Sequence, residues 1–468
     1  MSDSDFHPLV KELLPPPSPE DAFARLRCWP HCLFLDSARR DPLLGRYSFL
    51  TADPFDYIEL PLAASDHLAM LSHRTAAFHS ATVADLPPFQ GGVAGLFSYD
   101  LGRQWEAIPP ARIDEFGLPG LAVGLYDVVL AWDHRADRAW IVSQGWPETG
   151  PEARQRRAQS RLNDFLACLA APPAPSVKHA CLPPVDHPSG CPTNRFGEVL
   201  SNFSRREYLG AICRVIEYIR AGDVFQVNLA QRLIHPAGGD SAALYLRLRQ
   251  RNPSPFAGYF DLGGFQILSA SPERFLSVAG REVETRPIKG TRRRMLRPEA
   301  DLFSGDELRS SEKDRAENVM IVDLLRNDLS RVCEPESVYV DQLCRLEAYE
   351  YVHHLVSSVR GRLRPEHTPL DLLRAAFPGG SITGAPKVRA MQIISELEPT
   401  ARGAYCGSLG YLGFNGAADL NILIRTITAG RGWWQMPVGG GIVAQSLPER
   451  EYEETWDKAE GMLRALGP

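Results

Sequence analysis

The chain has 468 residues, with 57 acidic against 51 basic side chains and a formal charge of −6. Apolar residues make up 44% and charged ones 23%, as in ordinary globular proteins, and the length suits one large intertwined core or two domains. The weak acidity argues against a nucleic-acid binder, which carries a basic stripe, and no run of about 18 apolar residues could cross a bilayer. The start, Met1-Ser2-Asp3-Ser4-Asp5, lacks the positive region of an export signal, so a cytoplasmic location is expected. Nine scattered cysteines with no C-x-x-C pair fit reduced thiols. His31 between Cys28 and Cys32 lacks the second pair that a zinc site needs.

In chain order, residues 1–20 read as a flexible extension ending in the stiff run Leu14-Pro15-Pro16-Pro17-Ser18-Pro19. Residues 21–170 form an N-terminal region of short strands and turns. Its segment Phe89 to Asp100 is dense in glycine and aromatics, strands are expected at 123–133 and 139–143, and a helix at 151–170. Ala171-Pro172-Pro173-Ala174-Pro175 opens a linker lasting to 198. The region 199–468 begins with Leu209, Ile212, Ile216 and Ile219 at helical steps, closed by Gly222. A strand follows with Gln226 and Asn228 on one face and Phe225, Val227 and Leu229 on the other. Further strands are expected near 256–261, 264–270, 282–288, 405–415, 420–427 and 433–438. Helices are expected at 311–331, from Val388 to about Leu397, and at the C-terminus. Without strict βαβ alternation, the pattern predicts an α+β fold with largely antiparallel sheets covered by helices.

Two of these helices carry carboxylates at a three-residue step: Asp314 and Glu317 on one, Glu451 and Glu454 on the other. Ser446 with Glu449 predicts a capping box at the start of the last helix. Carboxylates converging from two helices would repel unless a cation sat between them, and hard oxygen ligands favour Mg²⁺. By spacing alone, a solvated acidic face is the better account. Gly439-Gly440-Gly441-Ile442-Val443-Ala444 fails as a dinucleotide fingerprint because no βαβ unit follows. Gly379 to Gly384 fails as a phosphate loop because Ala385 stands where the lysine must be. Both segments keep backbone N–H groups that could meet a carboxylate. In Arg286-Pro287-Ile288-Lys289-Gly290-Thr291, an enclosed Lys289 would have a lowered pKa and act as a nucleophile, whereas at a strand end it would simply reach solvent. Arg292, Arg293 and Arg294 read as a solvated loop. Glu273, at the end of another strand, could donate a proton if its site were closed.

Taken together, four segments resemble the chorismate-utilising enzymes in order and spacing. They are Pro287-Ile288-Lys289-Gly290-Thr291, the run Lys313 to Asp328, Gly380 to Lys387, and Gly440-Gly441-Ile442-Val443 with Glu451 and Glu454. The resemblance covers nearly the whole chain. It implies two largely antiparallel sheets packed as a sandwich and covered by helices. It also implies amination of chorismate with ammonia from a separate glutaminase subunit in a heterodimer. Lys289 and the pair Glu317-Asn318 resemble the branch that makes 4-amino-4-deoxychorismate for 4-aminobenzoate and folate; the anthranilate branch has alanine in place of Lys289. Glu317, Glu451 and Glu454, with Asp314, resemble the Mg²⁺ shell. Tyr405, Arg425 and Gly439, Gly440 and Gly441 resemble the clamp on the pyruvyl carboxylate, and Thr291, Ser381, Lys458 and His354 other pocket positions. Gln226 stands where water-using relatives have an activating lysine. Lys289 is then expected to attack ring C2 while Glu273 protonates the leaving C4 hydroxyl.

The N-terminal motifs resemble the family's tryptophan-binding part, with Ser37, Tyr47, Ser48, Phe49, Pro255 and Phe256 as its lining. Leu35-Asp36-Ser37 departs from the usual L-E-S. Ordinary core is the other account of these residues. The alternatives to the aminodeoxychorismate reading are anthranilate formation and a non-catalytic sensor of chorismate or tryptophan.

Overall fold

The computed structural model describes residues 6–40, 44–62, 66–173, 182–193, 195–295, 297–348 and 352–467, without the side chains of residues 291, 293, 298, 348 and 352. Parts of the expected extension (1–5) and linker (174–181 and 194) therefore lie outside the described residues.

Two sheets are stacked face to face, and the strand ladders within both are antiparallel. The larger, 13-stranded sheet runs from Leu9–Leu13 at one edge, through Leu33–Asp36, Phe256–Asp261, Phe265–Ser271, Thr426–Gly430 and Trp433–Ile442, to Gln226–Pro236 and two short strands. The 10-stranded sheet runs from Ile288–Arg293 and Val352–Arg362, through Arg274–Ala279 and Ser408–Gly413, to Gly92–Phe97 and Asp56–Leu60. Most central strands are apolar at nearly every position because both of their faces are buried. In Phe256–Asp261, Tyr259 packs beneath the helices while Phe260 packs between the sheets, beside Leu96 and Leu409 of the facing sheet. Helices Pro19–Leu26, Arg205–Arg220, Ser241–Arg251 and Pro448–Leu466 cover the larger sheet, and Glu312–Ser330 and Pro369–Ala376 cover the smaller one. The predicted α+β sandwich is the fold observed.

The N- and C-terminal regions share both sheets. Leu33–Asp36 pairs with Phe256–Asp261, and Gly92–Phe97 with Ser408–Gly413. Three expectations need correction. The extension is anchored, since Leu9–Leu13 pairs in register with Arg138–Ser143. The single strand expected at 123–133 is two, Leu121–Tyr126 in the smaller sheet and Val128–Asp133 in the larger. The chain changes sheets at the buried Asp127, whose carboxylate lies 3.5 Å from both Arg157 and Arg161. The third concerns the arginine run, which lies at the end of a strand rather than in a free loop: Arg292 pairs with Asp314 and Arg294 with Asp301.

Candidate active site

Lys289 enters from Ile288–Arg293, the end strand of the smaller sheet, and Glu273 from the turn between Phe265–Ser271 and Arg274–Ala279. The two meet at Ser381, in the glycine-rich turn Gly380–Ile382. Lys289 Nζ donates to the Ser381 carbonyl at 2.9 Å, and Ser381 Oγ donates to Glu273 Oε1 at 2.6 Å. Glu273 is buried, and that burial pushes its carboxyl up to about 7 against the opposing pull of the Ser381 hydroxyl and the Lys289 charge. A carboxyl poised near neutrality beside an amine is the pairing that general-acid and nucleophilic chemistry require.

On the far side of Lys289 lie the carboxylates of the two acidic helices. Glu317 and Glu454 are both close enough to feel the Lys289 charge. Burial raises the Glu317 carboxyl; Lys289 and Lys313 oppose the rise, and Asp314 and Glu451 add to it. Glu454 is desolvated by its surroundings, yet Lys458, Lys313 and Lys289 hold it below the usual carboxylate range. Lys458 Nζ bonds Glu454 at 2.7 Å and the Gly439 carbonyl at 2.8 Å. Lys313 Nζ lies 3.1 Å from Glu451 and 3.9 Å from Glu317. Asp314 turns the other way, toward Gly290 and the Arg292 guanidinium at 3.4 Å. Among the described residues no three His, Cys, Asp or Glu side chains stand close enough together to enclose a metal. The donor set nevertheless suits a hard cation. A Cβ at Gly440 would lie 3.6 Å from an oxygen each of Glu451 and Glu454 and 3.3 Å from Lys458 Nζ, and the bare glycine leaves that cradle open.

The glycine triplet lies inside Trp433–Ile442 rather than after a strand, with Gly441, Gly440 and Gly439 opposite Asn228, Leu229 and Ala230. Close approach explains it: a Cβ at Gly439 would strike the Leu229 carbonyl, and one at Gly441 the Gln226 amide nitrogen. Gln226 is fully buried, and neither end of its amide has a hydrogen-bond partner. Arg425 holds a positive φ of 53°, and its guanidinium has no hydrogen bond or ion pair among the described residues. Burial draws it below the usual arginine value, with Tyr405 and Glu454 opposing, and it stays charged at neutral pH. Such a fork is available to an incoming carboxylate. His354, paired in register with Thr291, is pulled down to about 4 by burial and by the Arg425 and Arg39 charges, so it is neutral near pH 7. The Thr291 side chain lies outside those described.

The expected capping box does not form. Ser446 Oγ instead donates to Glu451 Oε1 at 2.6 Å, and Leu447 occupies the N-cap position without a side-chain bond. Sequence reasoning also missed Arg402. This buried guanidinium pairs with Glu398 and donates to the Ile382 and Asn228 carbonyls at 3.0 and 2.6 Å, fixing the Ser381 turn to the Gln226 strand. A lone arginine in sequence carries no sign of such a role.

With this geometry in place, comparison with known proteins is decisive at the level of family: the pattern of the chorismate binding enzymes matches residues 38–464. The chain belongs to that family. It is 45% identical to the anthranilate synthase component 1 of Thermus thermophilus over 82% of this chain and 79% of that protein. It is also 40% identical to the aminodeoxychorismate synthase component 1 of Salmonella typhimurium over 96% of both. The crystal structure of anthranilate synthase component I from Streptococcus pneumoniae superposes with a TM-score of 0.76 at 33% identity, covering 91% of this chain and 93% of that one. The menaquinone-specific isochorismate synthase of Escherichia coli shares the fold, with a TM-score of 0.71 at 17% identity over 98% and 94%. No helix among the described residues is long and apolar enough to cross a membrane.

A second cavity, of about 240 Å³, lies among Ser37, Tyr47, Phe49, Pro255 and Phe256, with Arg274, the neighbour of Glu273, in its wall. Ser48 is not in that wall. Its hydroxyl accepts from the Ser37 N–H at 3.0 Å and bonds His134 Nε2 at 2.7 Å. Asp36, the departure from the usual glutamate, is spent on Arg249 at 2.5 Å and the Tyr245 hydroxyl at 3.0 Å.

Proposed function

We propose that this chain converts chorismate and ammonia to 4-amino-4-deoxychorismate, with the ammonia released from glutamine by a separate glutaminase subunit. The observation that carries the reading is the convergence of Lys289 and Glu273 on Ser381, one at its carbonyl and the other at its hydroxyl, which supports an amine and a protonated carboxyl acting on one substrate. Arg425 and Tyr405 would take the pyruvyl carboxylate of chorismate and fix the ring over Lys289. Mg²⁺ held by Glu317, Glu451 and Glu454 would supply Lewis-acid binding of the ring carboxylate.

The Lys289 amine then bonds to ring C2, the ring double bonds shift, and the C4 hydroxyl leaves as water with the Glu273 proton. Ammonia adds at C4, the C2–N bond to Lys289 breaks, and the proton shed by the new amine returns to Glu273. One ammonia enters and one water leaves. The unpaired Gln226 amide offers hydrogen bonds without the basicity needed to activate water, which supports ammonia as the nucleophile. The cavity at Ser37, Tyr47 and Phe49 would hold tryptophan.

Purified protein given chorismate, MgCl₂ and an ammonium salt should form a product that a pyruvate-removing lyase converts to 4-aminobenzoate. Fluorescent anthranilate would instead support the second reading, which the 45% identity to an anthranilate synthase favours. Lys289→Ala should abolish turnover; full turnover with an unchanged product would remove the covalent step.

A further inference from the structure

We propose that Lys313 is a built-in counter-ion of the carboxylate site and competes with a divalent cation for it. The inference rests on the proposed Mg²⁺ site and concerns what fills it beforehand. The Lys313 ammonium reaches from the first turn of Glu312–Ser330 to Glu451 on the last helix, hydrogen-bonding Oε1 at 3.1 Å, and lies 3.9 Å from Glu317 on its own helix. It thus ties together two carboxylates that would otherwise repel across the gap.

The partners differ in their freedom to move. The Lys313 side chain is 44% exposed, against 13% for Glu317 and 5% for Glu451. Glu451 is also held at the same Oε1 by the Ser446 hydroxyl, which in turn accepts from the Val443 N–H at 3.1 Å. The lysine can therefore swing into water while the carboxylate stays in place. Lys458 is not equivalent, because it is held at two points, Glu454 and the Gly439 carbonyl. A metal taking both Glu317 and Glu451 must displace the Lys313 ammonium, and its affinity is lowered by the strength of that pairing.

The test is calorimetric titration of MgCl₂ into the full chain at one fixed ionic strength, since salt screens such pairs. Wild type is compared with Lys313→Met, which keeps the stem and removes the charge, and with Lys313→Arg, which keeps the charge. Lys313→Met should bind Mg²⁺ about fivefold more tightly, the scale of one partly exposed ion pair, and Lys313→Arg close to wild type. Without Mg²⁺, Lys313→Met should melt below wild type at low salt, and MgCl₂ should raise its melting temperature more than it raises that of wild type. Lys313→Gln serves if the methionine variant does not fold. Binding by Lys313→Met at wild-type affinity or weaker overturns the proposal and leaves the metal site standing. Failure of every variant to bind Mg²⁺ overturns the metal site and this inference with it.

Discussion

At Glu273 a single proton links chemistry to stability. The folded chain keeps that proton up to about pH 7, whereas an unperturbed glutamate releases it near 4.5. Between those values the folded state binds more protons than the unfolded one, so this residue's contribution to stability falls as pH rises, by up to about 3 kcal/mol across the window. Glu273→Gln keeps an acceptor for the Ser381 hydroxyl and has no proton to lose. Relative to wild type, the variant should gain stability between pH 5 and pH 8 in denaturant titrations, while turnover falls by about 10²–10⁴-fold. A stability difference that is flat with pH would mean that the carboxyl is not held protonated. The side-chain types at Lys289 and Glu273 were legible in the sequence. Their meeting is expected from the family resemblance but not readable from spacing, because Ser381, which both contact, stands 92 residues from one and 108 from the other.

The helix Glu312–Ser330 carries Glu317, and its neighbour Asn318 fastens the helix to Val352–Arg362. Asn318 is fully buried. Its amide donates to the Leu355 carbonyl at 3.3 Å and accepts from the Ser357 hydroxyl, which itself takes the Cys344 N–H at 2.9 Å. Asn318→Ala would strand the Leu355 and Ser357 groups out of reach of water, at a cost of about 1–3 kcal/mol. Urea unfolding should show that loss, and Mg²⁺ binding should weaken because the helix is no longer pinned to Val352–Arg362. An unchanged midpoint would make Asn318 dispensable. Periodicity found this helix and the last one, since both bury an apolar stripe. It misplaced the start of the last helix because the Ser446 hydroxyl serves the buried Glu451 instead of the helix N-terminus. Spacing could not show Lys313 standing between the two helices, because nothing local records which charges face each other across a gap.

For the whole molecule, composition and element order were enough for antiparallel sheets under helices, but not for which strands pair. The linker at 171–198 looks like a boundary between regions, yet Leu33–Asp36 and Gly92–Phe97 each take a neighbour from beyond it. Residues 1–173 and 182–468 made separately should therefore each be insoluble or unfolded by circular dichroism, and co-expression should recover a 1:1 folded complex. Either fragment folding alone would show that the shared sheets contribute little. The same pairing bears on the order in which a ribosome releases the chain. Leu33–Asp36 emerges with one flank bare and has no mate for it until residue 256 has been made, and Gly92–Phe97 waits for residue 408. Nascent chains therefore carry open hydrogen-bonding edges through much of translation, a state prone to wrong pairing with other chains. For this protein, topology alone predicts that both sheets close late, once the C-terminal strands have been made.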